Sequence, residues 1–199
     1  MALTYTTLQT QIASFLNRDD LTAQIPTFIL LAEAEMNRDI RHWKMEKRAE
    51  ATFNERYEPL PADWIEAKRV SINGDRQLDL VSQAKMLEYR EQTGNVAGKP
   101  RYYTLSAAQI ELYPTPDEGY PGSMIYRSEI EALGDSVASN WVLAEAPDVY
   151  LYGSLKHSAP YLQEDPRLAV WESMYAKAVD TLNRRSKEAE FSGVGLSIR

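Results

Sequence analysis

Arg69-Val70-Ser71-Ile72-Asn73-Gly74-Asp75-Arg76-Gln77-Leu78-Asp79-Leu80 alternates apolar and polar side chains on either side of an Asn-Gly pair. Alternation with period two marks a strand with one buried face, and Asn-Gly accepts the positive φ angles of a two-residue turn, so the stretch predicts a β-hairpin. The same period governs the neighbouring sequence from about Arg48 to Glu129. Arg101-Tyr102-Tyr103-Thr104-Leu105 and Gln109-Ile110-Glu111-Leu112-Tyr113 form a second candidate hairpin, and Ser123-Met124-Ile125-Tyr126-Arg127-Ser128 a further strand. Between the hairpins, Ser82 to about Glu91 predicts one short helix, followed by a loop from Thr93 to Pro100. The middle of the chain therefore reads as a small antiparallel β unit.

Outward from it the period becomes helical. Leu8, Ile12, Phe15 and Leu16 share one face of a first helix, which Thr4 or Thr6 caps and which stops near Asn17. A second helix starts around Pro26, with Ile25, Phe28, Ile29, Ala32, Met36 and Ile40 on its apolar stripe and Glu33, Asn37 and Arg41 opposite. After a linker from Asp135 to Asn140, a third helix opens at Pro147 and ends between Pro160 and Pro166. The fourth runs from Pro166 to about Glu190, with Leu168, Trp171, Tyr175, Ala178 and Leu182 in a regular seam. The expected fold is α+β and mainly α. It comprises an antiparallel helix bundle from the N- and C-terminal helices, one discontinuous domain over 1–47 and 135–190, with a β-rich insertion over 48–134 and an extended C-terminal arm over 191–199.

Composition narrows the function. The 199 residues carry 29 acidic and 22 basic side chains, a net charge of −7, which disfavours sequence-independent grip on a phosphate backbone. There is no cysteine, which removes disulfides, thiol nucleophiles and thiolate metal sites. Met1-Ala2-Leu3-Thr4-Tyr5-Thr6-Thr7 has neither the basic nor the apolar region of a signal peptide, and no apolar run reaches the ~18 residues of a membrane span, so neither secretion by signal peptide nor membrane insertion is expected.

Chemistry is sparse. The two histidines, His42 and His157, accompany no Gly-x-Ser-x-Gly elbow, and no phosphate-binding loop occurs. Carboxylate pairs such as Glu33 and Glu35 read as solvated helix charge. No catalytic, cofactor-binding or metal-binding residue is expected, and the chain reads as a non-enzyme. Two features point to partners instead. Arg38, Arg41, Trp43 and Lys44 gather cations beside an aromatic ring, either ordinary charge at a helix C-terminus or a docking patch for an acidic surface. Phe191-Ser192-Gly193-Val194-Gly195-Leu196-Ser197-Ile198-Arg199 is an apolar tail too short to bury itself, as expected of a segment that orders on a partner.

Several segments together resemble one family. They are Leu21-Thr22-Ala23-Gln24-Ile25-Pro26-Thr27-Phe28-Ile29 followed by Ala32 to Asp39, Leu60-Pro61-Ala62-Asp63-Trp64, Pro100-Arg101-Tyr102-Tyr103, Asn140-Trp141, Leu151-Tyr152-Gly153-Ser154-Leu155 to Leu162, Val170-Trp171-Glu172, and Phe191-Ser192-Gly193. In order and spacing they resemble the tailed-bacteriophage head-to-tail adaptor (head-completion or connector) proteins over nearly the whole chain. The resemblance implies a structural virion protein of the neck, assembled in the host cytoplasm as a ring, usually dodecameric. The ring would sit between the portal and the tail or nozzle, with DNA passing through the lumen unbound and the C-terminal arm reaching the portal. A monomeric ligand-binding or hydrolytic α+β domain, or another ring component such as a tail terminator, remains the alternative.

Overall fold

The computed structural model describes residues 3–18, 20–74, 76–162 and 165–191, the last of these, Phe191, by its backbone alone. Two compact units emerge, one from 1–43 with 130–199 and one from 44–129.

The first unit is helical. Helix α1 (Tyr5–Leu16) begins in a capping box, in which Thr4 Oγ1 accepts from the Thr7 amide and Thr7 Oγ1 accepts from the Thr4 amide, and ends at Asn17 in the left-handed region. Helix α2 (Ile25–Asp39) takes Pro26 into its first turn, where a missing N–H goes unused. Between the expected linker, Asp135 to Asn140, and the helix expected from Pro147 lies a further helix, α4 (Trp141–Glu145), whose N-cap Asn140 accepts from the Leu143 amide at 3.0 Å. Helix α5 (Pro147–Lys156) and helix α6 (Arg167–Phe191) complete the unit. Gly153 lets α5 approach closely: a Cβ there would lie 3.2 Å from the Tyr175 ring of α6 and 3.3 Å from Ala32 of α2.

Among the described residues, the second unit holds eight strands and one α-helix. Strands β1 (Glu46–Phe53), β3 (Trp64–Ile72), β4 (Arg76–Gln77) and β8 (Tyr120–Ser128) form a sheet in the order β1-β8-β3-β4. Strands β2 (Tyr57–Pro59), β5 (Asp79–Leu80), β6 (Tyr102–Ser106) and β7 (Gln109–Tyr113) form another in the order β2-β7-β6-β5. The Asn-Gly hairpin joins β3 to β4, with Asn73 and Gly74 both at positive φ as a type I′ turn requires. Phe53, Val70, Ile72, Met124 and Tyr126 of the first sheet share one buried cluster with Tyr103, Ile110 and Leu112 of the second. Helix α3 (Gln83–Thr93), capped by Ser82, is tied to the second sheet through Arg90, which donates to Glu111 at 2.9 Å and to the Leu112 carbonyl at 2.9 Å.

This arrangement corrects the expected fold class. With 47% helix, 24% strand and two four-stranded sheets, the protein is a sheet-rich α+β fold and not a helix bundle carrying a small insertion. The reason lies in β1. Glu46-Lys47-Arg48-Ala49-Glu50-Ala51-Thr52 is made mostly of good helix formers, yet all of it pairs antiparallel with β8, and that pairing overrides propensity. The sheets are not wholly antiparallel either: β5 and β6 run parallel, because helix α3 supplies the crossover that parallel strands need.

Candidate functional site

Arg38 lies in the last turn of α2, and Arg41 and Trp43 follow in a segment held against α6. The Arg41 amide donates to Asn183 Oδ1 at 2.7 Å, the Trp43 amide to Ser186 Oγ at 2.9 Å, and Asn183 Nδ2 to the Asp39 carbonyl at 3.0 Å. His42 is buried between two rings, 4.7 Å from Trp141 and 5.7 Å from Trp43 by centroids. The Trp43 side chain stays 46% exposed on this fixed backbone, and Lys44 follows in a 3-10 turn. Arg38, Arg41 and Trp43 are thus held on the first unit at the end of α2. The other expected docking element, Phe191 to Arg199, lies outside the described residues except for the Phe191 backbone.

The titratable groups that reach one another are structural in their geometry. Glu33, placed on the polar face by sequence, is buried: it accepts from the Leu133 amide at 2.7 Å and from the Tyr150 hydroxyl at 3.0 Å. Asn140 donates to that hydroxyl at 2.6 Å and to the Glu131 carbonyl at 2.7 Å. Burial pushes Glu33 above the usual carboxylate range, and burial followed by the nearby Glu33 charge pushes the Tyr150 hydroxyl far up. The network joins α2, α5 and the segment before α4. The apolar stripe of α2 is buried, and the leucines off that stripe are exposed, Leu30 at 61% and Leu31 at 44%.

Glu35 accepts from Lys156 at 2.5 Å and from His157 at 3.0 Å, and the Lys156 ammonium sits 4.1 Å from the Tyr175 ring centroid. Glu35, Lys156 and Tyr175 border a cleft of about 380 Å³ with Asp39, Glu172 and Asp180. Glu35 forms ion pairs with Lys156 and His157. Among the described residues, no group of three or more His, Cys, Asp or Glu is placed to hold a metal ion. None of the described helices is long and apolar enough to cross a membrane.

The second unit offers an open groove. Strand β1 is the last strand of its sheet, and its Ala49, Ala51 and Phe53 face the space between the two sheets together with Met124, Leu60 and Ile110. The groove measures about 210 Å³. In the same unit Asp63 accepts from Lys47 of β1 at 2.6 Å and from the Tyr126 hydroxyl at 2.8 Å. The Lys47 hydrogen bond holds Asp63 below its usual range, and burial with the Asp63 hydrogen bond pushes Tyr126 up to about 12. The period-two signal for this wall, Lys47, Ala49, Ala51 and Phe53, was present in the sequence. Most of this stretch falls in the β-rich region expected from about Arg48, with no strand named there.

The family model described as SU10 adaptor protein matches residues 3–196. The chain belongs to that family, a phage head-to-tail adaptor family. No curated protein matches the sequence. As an SU10 adaptor the protein has a structural role in the phage virion, and membership implies a place in the neck with portal and tail components as its general partners. A structural adaptor family suggests a non-enzyme.

Proposed function

We propose that this SU10 adaptor assembles as a ring, a dodecamer, between the portal and the tail or nozzle, with DNA passing through its lumen. The observation that carries this reading is the family match across residues 3–196. Charge supports it physically. A net −7 per copy, multiplied around a ring, gives a body on which a DNA phosphate backbone does not stick. The segment Phe191 to Arg199 serves as the arm that docks on the portal, and Arg38, Arg41, Trp43 and Lys44 present cations and an exposed indole to an acidic partner surface.

The test is a chain truncated after Glu190, analysed with portal rings. It is expected to keep the helical spectrum of the full chain and to lose co-sedimentation with the portal; unimpaired binding overturns the role of the arm. Light scattering on the full chain, alone and then with portal rings, checks ring assembly. A protein that stays monomeric with the portal present overturns the ring.

A further inference from the structure

The groove beside β1 has the form of a site for one more strand. Strand β1 pairs with β8 along all eight of its residues and has no strand on its other side among the described residues. An edge strand presents backbone N–H and C=O groups ready to pair with an added chain. Its inward face carries small side chains, Ala49 half-buried and Ala51 exposed, so the apolar space between the sheets opens at this edge instead of closing on a large residue. The charges of β1 do not block that mouth: Lys47 is engaged by Asp63, while Glu46, Arg48 and Glu50 alternate onto the other face.

The sequence contains a stretch whose alternation matches. Val194, Leu196 and Ile198 alternate with Gly195 and Ser197, so an extended conformation would put three branched apolar side chains on one face and small ones on the other. Extended, Val194 to Ile198 would span about 17 Å, within the length of the eight-residue β1. The other alternating apolar runs, in β3, β6, β7 and β8, are already paired within their sheets.

We propose that the groove between β1 and the Leu60 segment receives the Val194 to Ile198 stretch of a second copy of this chain, which pairs with β1 and seats its apolar side chains against Ala49, Ala51, Phe53 and Met124. Donor and acceptor are different surfaces of each copy, so the contact is head-to-tail and repeats from copy to copy, as a closed ring requires. The inference rests on the reading of Phe191 to Arg199 as a docking arm and gives that arm a receiver besides the portal.

The experiment uses full-length chains and light scattering over a dilution series. Ala51→Glu places a charge in the mouth of the groove at an exposed position, and Leu196→Asp places one in the arm; circular dichroism checks that each still folds, with Ala49→Glu as a second groove variant. The unaltered chain is expected to self-associate, and each variant to do so at least tenfold more weakly. An equal mixture of Ala51→Glu and Leu196→Asp is expected to form a dimer, because it contains one intact arm and one intact groove. The inference is overturned by an unaltered chain that stays monomeric at its highest soluble concentration, by variants that associate like the parent, or by a mixture that stays monomeric. The portal reading is judged separately. Ala51→Glu is expected to keep co-sedimenting with portal rings, so loss of portal binding in the truncated chain alone speaks to the arm's other receiver.

Discussion

Helix α2 and strand β1 misrepresent themselves in opposite directions. In α2 a carboxylate, Glu33, is buried and hydrogen-bonded, while Leu30 and Leu31 on another side of the same helix are exposed. In β1 a run of helix-forming residues is extended because β8 holds it, and the side chains facing the space between the sheets are alanines left partly open. In α2 residue type misled the reading of Glu33, whereas in β1 the period-two reading from about Arg48 left the strand unnamed and its partner set its extent. In α2 the Tyr150 hydroxyl and the Leu133 amide make burial of Glu33 tolerable, since a buried acceptor that is hydrogen-bonded loses far less than an orphaned one. In β1 a full register of backbone bonds outweighs the ~1 kcal/mol range of intrinsic preference.

The strongest way to break the comparison is a cavity under α2. Phe28 is 1% exposed, and Phe28→Ala is expected to cost about 3–5 kcal/mol in denaturant unfolding. Hydrogen exchange is expected to rise in α1, α2 and α5 and to change less in β3 and β8; equal loss in both sets would show that the two units unfold as one. Overpacking at β1 comes next. Gly122 faces Ala51 in the register, and a Cβ there would meet the Phe53 ring at 2.5 Å, so Gly122→Val is expected to destabilise by about 1–3 kcal/mol and to loosen the β1 to β8 pairing, read as faster exchange of β1 amides.

Glu33→Gln sharpens the contrast through pH. Burial raises the folded-state pKa of Glu33, so its protonated form is favoured on folding; the corresponding stability is fully present below the ordinary glutamate value and is lost as pH rises through the raised one. The neutral amide escapes that loss. Glu33→Gln is expected to be more stable than the parent at pH 7 and to lose the advantage in acid, measured as the difference in unfolding midpoint across a pH series. A difference independent of pH would remove Glu33 as its source. The smallest effect is expected on α2's exposed side, where Leu30→Ser with Leu31→Ser leaves monomer stability within about 1 kcal/mol, because neither side chain fills the core.

Much of the helical unit was legible because its signals are local. The stripe of α6, from Trp171 through Tyr175, Ala178 and Leu182, is buried as its spacing implied, and Thr4, Pro26 and Pro147 mark helix starts by their own chemistry. The hairpin at Asn73-Gly74 was equally plain, since the turn demands positive φ and few residue pairs supply it. Of the candidate docking residues, the sequence singled out Arg38, Arg41 and Trp43 by charge and ring, but it did not show that Asn183 and Ser186 fix their backbone. The order and spacing of its segments also carried the resemblance that the family match made explicit.

Tertiary structure alone decided the balance of the fold, the burial of Glu33 and the open edge of β1. Each depends on a partner distant in the chain: β8 begins 67 residues after β1 ends, Tyr150 is 117 residues from Glu33, and Leu60 and Ile110 meet Ala49 and Ala51 only when two sheets face each other. Local periodicity reports which side of a segment is apolar. Which side is covered, and by what, is a property of the packed molecule, because burial and hydrogen bonding are settled between segments and not within them.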